Sequence, residues 1–300
     1  MNVKIAHFQT VYLVKAHEHQ IGFIKIKTKP ENKMDNLIII RGGGDLATGV
    51  AQKFKRSGFN ILILESETPT AIRRSVSLCE AVYDGTKEVE DMICRKIDRN
   101  GELSKCWEEG IIPLLVDPDG SCIGKLKPAA VIDAIIAKKN TGTEINMANI
   151  VIALGPGFTA GKDVHAVIET KRGNDLGKLI LCGQAEANTG VPGEIAGESI
   201  RRVVRAPGNG LVKNIKQIGD IVQQGEILLS VNKEEIFAPI SGLLRGLIRD
   251  GINVKEGMKI ADIDPRPDIN PNTISDKARC VGGAALEAYL YLNANGEAKK

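Results

Sequence analysis

The sequence predicts an α/β chain: a doubly wound parallel sheet followed by an all-β domain. Three observations predict it. A β-branched run, LIII at 37–40, meets three glycines, a helical stretch and then a second apolar run that ends in an acid. Further short apolar runs alternate with amphipathic stretches as far as residue 161. Residues 206–231 then align with residues 238–263 at an offset of 32. Strands that alternate with helices build a parallel sheet with ligand sites at the strand carboxyl ends, and a repeated unit of strands and glycine turns builds two matching half-sheets.

Residues 1–33 read as an N-terminal extension ahead of this body. Three of the four histidines, His7, His17 and His19, fall in it. The HEH pair supplies too few ligands for a closed metal site, while the alternating IGFIKIKTK at 21–29 suits a strand. The functional body starts at Met34.

The first glycine loop follows at once. Gly42, Gly44 and Ala47 fit G-x-G-x-x-A, and Ala47, Val50, Ala51 and Phe54 give one apolar helical face that Gly58 ends. The next strand, NILILE at 60–65, closes on Glu65, twenty-three residues after Gly42. Strand, tight turn, helix, strand and acid are the layout of a Rossmann-like nucleotide-binding domain. Glycines let the backbone approach a phosphate, and a helix start offers free N–H groups and the positive end of its dipole. Gly42, Gly43, Gly44 and Asp45 are therefore the candidate phosphate-loop residues, and Glu65 is the candidate acceptor for a ribose hydroxyl. Asp45 would repel a phosphate unless it caps the helix or meets a metal. The alternative is a scaffold whose glycines only pack strand against helix.

Beyond it, EAVYDG (80–85) is predicted as a strand, KEVEDMICRKI (87–97) as a helix, GIIPLLVDPDG (110–120) as a strand, PAAVIDAIIAKKN (128–140) as a helix and NIVIALGPGFTAG (149–161) as a strand with a second glycine loop. Asp117 either touches a ligand or starts the turn before Pro118, the commoner role. Asp133 belongs either to a solvated helix face or to the site. In the second loop, Gly155, Gly157 and Gly161 can turn successive N–H groups into an anion nest, with a hydroxyl from Thr159 and a charge from Lys162. The spacing is not that of a Walker A loop. Gly155, Gly157 and Thr159 are the candidate binding residues here. The polar stretches ETKRGNDLG (169–177) and NTGVPG (188–193) either line one wall of a site or form hairpin turns. Asp163 and His165 lack a third ligand, so no metal is expected. Cys182 is either a thiolate that handles sulfur or selenium or a buried packing cysteine, the second being commoner. No nucleophile–base pair can be named, which leaves open whether the chain is an enzyme.

In the repeat, Ala206, Pro207, Gly210, Leu211, Gly219, Val222 and Gly225 recur as Ala238, Pro239, Gly242, Leu243, Gly251, Val254 and Gly257. This pattern resembles the biotinyl/lipoyl-type barrel-sandwich fold. Lys233, in the turn NKEE (232–235), lacks the Met-Lys-Met surround of a carrier lysine, so no covalent biotin or lipoyl group is expected and the domain serves structure or docking. The tail, SDKARCVGGAALEAYLYL at 275–292, reads as a helix that returns to the first domain. The expected plan is an extension over 1–33, a Rossmann-like domain over 34–165, a β-rich connection over 166–204, the barrel-sandwich domain over 205–265 and the C-terminal helix within 266–300.

Composition narrows the function classes. The chain is 43% apolar and 26% charged, ordinary values for a globular protein. Four tyrosines and one tryptophan offer few stacking platforms for single-stranded nucleic acid. The net charge of +3 is carried by six lysines against two acids in residues 1–33, leaving about −1 elsewhere, so no nucleic-acid partner is expected. The six cysteines form no C-x-x-C pair, no secretory leader precedes the body, and no apolar stretch reaches the ~20 residues of a membrane helix. These point to a reduced, cytoplasmic protein without a membrane partner; self-association into a homo-oligomer is left open.

IIIRGGGDLATGVA, IVIALGPGFTAGKDVHAVIETKRGNDLG, NTGVPG, the twin AP…G halves and DIDPR together resemble the YqeB-type accessory proteins of the selenium-dependent molybdenum hydroxylase system, over about residues 34–292. The resemblance implies a maturation role for a hydroxylase of the xanthine dehydrogenase type. It implies the apo-enzyme as partner and a small phosphate-containing ligand, NAD(P) or the nucleotide-like molybdopterin cofactor. Asn174 stands where the family pattern has a histidine, so no acid–base role is carried to that loop. Two other readings stand beside this one. An NAD(P)-dependent oxidoreductase lacks a visible Tyr-x-x-x-Lys or His–Asp pair, and a carrier or docking protein would work through the repeat domain.

Overall fold

The β-branched residues of β1 (Leu37–Arg41) are buried along the whole strand, as in a strand covered on both faces. The computed structural model describes residues 36–188, 190–191 and 193–296. The extension expected over 1–33, with its HEH pair and strand, lies outside the described residues. After β1 come α1 (Asp45–Arg56), β2 (Asn60–Glu65), α2 (Ala81–Asp84), β3 (Thr86–Val89), β4 (Met92–Ile97), α3 (Leu103–Glu108) and β5 (Ile112–Val116). Then follow α4 (Ile123–Leu126), β6 (Ala130–Asp133), β7 (Ile150–Leu154), β8 (Thr159–Ala160), β9 (Ala166–Ile168), β10 (Leu179–Ile180) and β11 (Gly183–Gln184). Nine of these strands form one sheet in the order β10-β9-β7-β6-β1-β2-β5-β4-β3, while β8 and β11 pair apart.

The topology corrects the expected fold class of a Rossmann-like doubly wound parallel sheet plus a barrel-sandwich domain. The large sheet is mixed, because β3 runs antiparallel to β4 and β10 antiparallel to β9. Three small antiparallel sheets, of two, four and four strands, accompany it. Nor does a helix follow each strand. Residues 87–97 form the β3–β4 hairpin, with Met92 and Cys94 buried on either side of exposed Ile93 and a left-handed Glu90 at the turn (φ 51°); so short an apolar pattern fits either period. Residues 128–140 divide into β6 and irregular chain. Ala130–Asp133 slots between β1 and β7, wholly buried, and Ile136 and Lys138 then take positive φ values that no α-helix carries. Residues 80–85, expected as a strand, hold the short helix α2.

One face of the large sheet is closed by α1 and by α5 (Asp276–Asn295), which arrives from the far end of the chain. The two helices cross at small residues: a Cβ on Gly49 would meet the Ala278 carbonyl, and one on Gly282 the Gly49 carbonyl. Phe54, Phe59 and Tyr289 pack edge to face beside the crossing, at centroid distances of 5.0–5.8 Å. The other face is covered by α3, α4 and loops over Leu37, Ile39, Leu62 and Leu64.

The repeat builds the remaining sheets from β12 (Val203–Arg205), β13 (Gly210–Asn214), β14 (Ile221–Val222), β15 (Ile227–Val231), β16 (Glu234–Phe237), β17 (Gly242–Leu247), β18 (Asn253–Val254) and β19 (Lys259–Asp264). Their orders are β12-β19-β17-β14 and β16-β15-β13-β18. Each half lends its short middle strand to the other: β14 pairs with β17, and β18 with β13. The shared core holds Val222 and Val254, equivalent positions of the two halves, together with Leu228 and Ile260. Lys233 sits exposed in the turn between β15 and β16. Among the described residues no helix is long and apolar enough to cross a membrane.

Candidate functional site

A cleft of about 820 Å³ opens where the carboxyl ends of β1, β2 and β6 face β12, β17, β19 and the start of α5. The first glycine loop forms one wall. Gly42 takes φ +90° and donates its N–H to the Leu64 carbonyl at 2.7 Å. Gly43 lies against Cys79, whose N–H donates to its carbonyl at 2.8 Å. The Gly43 N–H donates to Glu65 Oε2 at 2.8 Å, and the Ser66 N–H to Oε1 at 2.8 Å. Glu65 is thus tied to the loop it faces. Each carboxylate oxygen offers about two acceptor positions, so a hydroxyl can still donate to it.

Gly44 differs from its two neighbours. Its φ of −67° and ψ of −174° suit any residue, it caps α1 without a side chain, and a Cβ added there would meet nothing within 4 Å. It faces open cleft at the positive end of the helix dipole. Asp45 opens the helix, its carboxylate 3.8 Å from Arg73 Nη1.

The second loop is used in another way. A Cβ on Gly155 would stand 2.6 Å from Thr170 Oγ1, and one on Gly157 2.6 Å from the Lys139 Cα. The Thr159 N–H donates to Asp163 Oδ2 and its hydroxyl accepts from Gln184 Nε2, both at 2.8 Å. Of the two loops, the cleft wall takes Gly42, Gly44, Asp45 and Glu65 from the first and Pro156 from the second. Gly43 stands behind that wall, and Gly155, Gly157 and Thr159 are not part of it.

Other candidates have structural partners. Burial works against ionised Asp117, but the N–H groups of Cys122 and Ser121 outweigh it and hold the carboxyl below its usual range. Asp133, at the end of β6 and not on a helix, is pushed up by burial while Thr143, the Ile135 N–H and Arg41 favour its charge. His165 Nδ1 accepts from the Val151 N–H at 3.0 Å. Cys182 is exposed in the turn between β10 and β11, so it is not a buried packing residue. Among the described residues no group of three or more His, Cys, Asp or Glu side chains could hold a metal ion.

The cations of the cleft were not visible as a set in the sequence. Nine lysines and arginines line it against five carboxylates. Arg73, Arg202 and Arg245 are only 7%, 7% and 8% exposed. Arg202 pairs with Asp262 and donates to the Gly193 carbonyl. Arg73 and Arg245 are less well served. Among the described residues, Arg73 Nη2 makes only long contacts, at 3.5 and 3.4 Å, to the carbonyls of Pro271 and Thr273, and its Nε and Nη1 have no hydrogen-bond partner. Arg245 Nη1 reaches Asp264 at 3.3 Å, and its Nε has none. Burial depresses the Lys277 ammonium; Asp45 and Glu169 oppose the shift, while Arg172 and Lys259 deepen it. These residues come from four elements far apart in sequence. The one local sign was the arginine inside the apolar strand GLLRGL, a cation in need of an anion.

No family model matches the chain. The uncharacterized protein YqeB of Escherichia coli (strain K12) is 49% identical over 261 residues, 87% of this chain and 48% of that protein. The chain therefore spans about half the length of this curated relative. Among solved structures, the product-bound ectoine utilization protein EutE (DoeB) of Ruegeria pomeroyi matches 71% of this chain and 61% of its own, with 12% identity and a TM-score of 0.22. An aspartoacylase family protein of Mesorhizobium loti matches 76% of this chain and 84% of its own, with 10% identity and a TM-score of 0.23. Backbones that superpose so poorly transfer no chemistry to this chain. The matched 261 residues are YqeB-like, and membership of the YqeB family is what that likeness supports.

Proposed function

We propose that this chain is an accessory factor that holds a phosphate-bearing ligand, a nucleotide such as NAD(P) or the molybdopterin-type cofactor, during maturation of a selenium-dependent molybdenum hydroxylase. One observation carries the binding half of this reading. Gly44 opens α1 onto a cleft with an excess of lysine and arginine, and nothing among the described residues stands within 4 Å of a Cβ there. A helix start with an open glycine and surrounding cations suits a phosphate. Glu65, held at the end of β2, suits a ribose hydroxyl. The hydroxylase half rests on the motif resemblance, with the strand-exchanged sheets as the surface offered to the apo-enzyme.

Calorimetric titration with NAD(H), NADP(H), ATP, CTP and a molybdopterin preparation tests the binding. Saturable binding of one ligand by the wild type, lost in Gly44→Asp, is the expected result. Aspartate is a preferred N-cap residue, so this change leaves the helix intact while placing a negative charge at the mouth of the loop. Silence across the panel overturns the small-molecule reading. Co-purification of the apo-hydroxylase with the wild type tests the partner.

A further inference from the structure

The glycine loop accounts for only one wall of the cleft. Four further cations of the cleft come from separate elements: Arg73 after β2, Arg245 on β17, Lys259 on β19 and Lys277 in the first turn of α5. Arg73 and Arg245 are more than nine-tenths buried, yet Arg73 Nε and Nη1 and Arg245 Nε make no hydrogen bond among the described residues. Buried guanidinium N–H groups without acceptors are costly and call for a partner. Asp45 approaches Arg73 at 3.8 Å, Asp264 approaches Arg245 at 3.3 Å and Asp262 approaches Lys259 at 3.6 Å. The Asp45 charge also acts on Lys259 and Lys277. Asp262 and Asp264 are shared with Arg202 and Arg266, so the cations of this group still outnumber its carboxylates.

We propose that Arg73, Arg245, Lys259 and Lys277 form an oxyanion subsite beside the glycine loop, which takes a dianionic tetrahedral group of the phosphate type. Asp45 stands at its edge as a resident counter-charge that weakens binding and keeps the empty cluster from repelling itself. A dianion with several acceptor oxygens satisfies the guanidinium N–H groups of Arg73 and Arg245 that the neighbouring carboxylates leave unpaired. The inference deepens the reading above, because it assigns the ligand a second anionic contact distinct from the one at Gly44.

The test is titration of the full chain with inorganic phosphate at constant ionic strength, with chloride as the control anion. The wild type is expected to bind phosphate saturably. Arg73→Gln and Lys277→Met should each weaken it about tenfold or more, the scale of a lost charge-assisted contact. Asp45→Asn should tighten it by about threefold or more, since it removes a repelling charge. The Lys277 ammonium makes no hydrogen bond or ion pair among the described residues, so Lys277→Met carries the test even where Arg73→Gln fails to fold. Absence of phosphate binding by the wild type, or unchanged binding in Lys277→Met, overturns the proposal. Competition between AMP and phosphate identifies the group as a ligand's terminal phosphate, whereas simultaneous binding identifies a free oxyanion; either outcome supports the subsite. The two readings fail separately. Phosphate binding without nucleotide binding removes the loop site and keeps the cluster, and nucleotide binding sensitive to Gly44 without phosphate binding does the reverse.

Discussion

The chain contains two glycine loops after two buried strands, and they serve opposite ends. At Gly155 and Gly157 the missing side chains are filled by other parts of the chain, Thr170 and the backbone of Lys139, and φ is +77° and +108°. At Gly44 φ is ordinary and the space is empty. A glycine that the fold requires is one whose Cβ would collide. A glycine that the fold does not require, yet which faces a cationic cleft, is available to a ligand. Gly43 lies between these cases, since its Cβ would stand 2.9 Å from the Cys79 nitrogen.

Stability measurements can break or sharpen this contrast. Gly157→Ala should have the largest effect, a loss of about 3 kcal/mol from left-handed strain and overpacking, read as a lower urea midpoint. A Gly157→Ala protein as stable as the wild type would remove the distinction between the loops. Glu65→Ala should cost about 2 kcal/mol, because it frees the N–H groups of Gly43 and Ser66 from their charged acceptor, and should loosen nucleotide more than inorganic phosphate. Gly44→Ala should cost no more than about 1 kcal/mol, the penalty of alanine at an N-cap, yet weaken nucleotide binding; a larger destabilisation there would move Gly44 into the class of Gly157. The smallest effect concerns pH. Burial holds the Lys277 pKa below 10.5, and a bound anion favours the charged form. Phosphate affinity should therefore fall as pH rises through that depressed value, earlier than for an ordinary lysine, and Lys277→Met should flatten the profile.

How much of this was legible beforehand depended on whether the information was local. β1, the turn, α1 and β2 lie within thirty residues and carry a full pattern of apolar periodicity, glycines and a terminal acid, so the loop and Glu65 could be read directly. The hairpin at 86–97 could not, since Val89, Met92 and Ile97 satisfy a helical spacing while Met92 and Cys94 alternate about exposed Ile93, and only pairing against β5 decides between them. The edge strands β3 and β10, which make the sheet mixed, carry no sequence mark of direction. The two glycine loops look alike in the sequence because glycine content says nothing about what fills the missing side chain. The cation cluster was invisible for a plainer reason: Arg73, Arg245, Lys259 and Lys277 share no spacing, and only the chain's return through the repeat and α5 brings them to one cleft.

The exchange of β14 and β18 between the halves of the repeat has a consequence for how that region comes apart. Each half keeps its own long strands but leaves a vacant edge where the other's short strand must enter, so a half on its own is an open hook. Severing the exposed turn at Asn232–Lys233 would leave two fragments still clasped through β14 on β17 and β18 on β13. In architecture the region is a dimer of two related peptides, and the covalent link between them fixes their concentration and not their embrace.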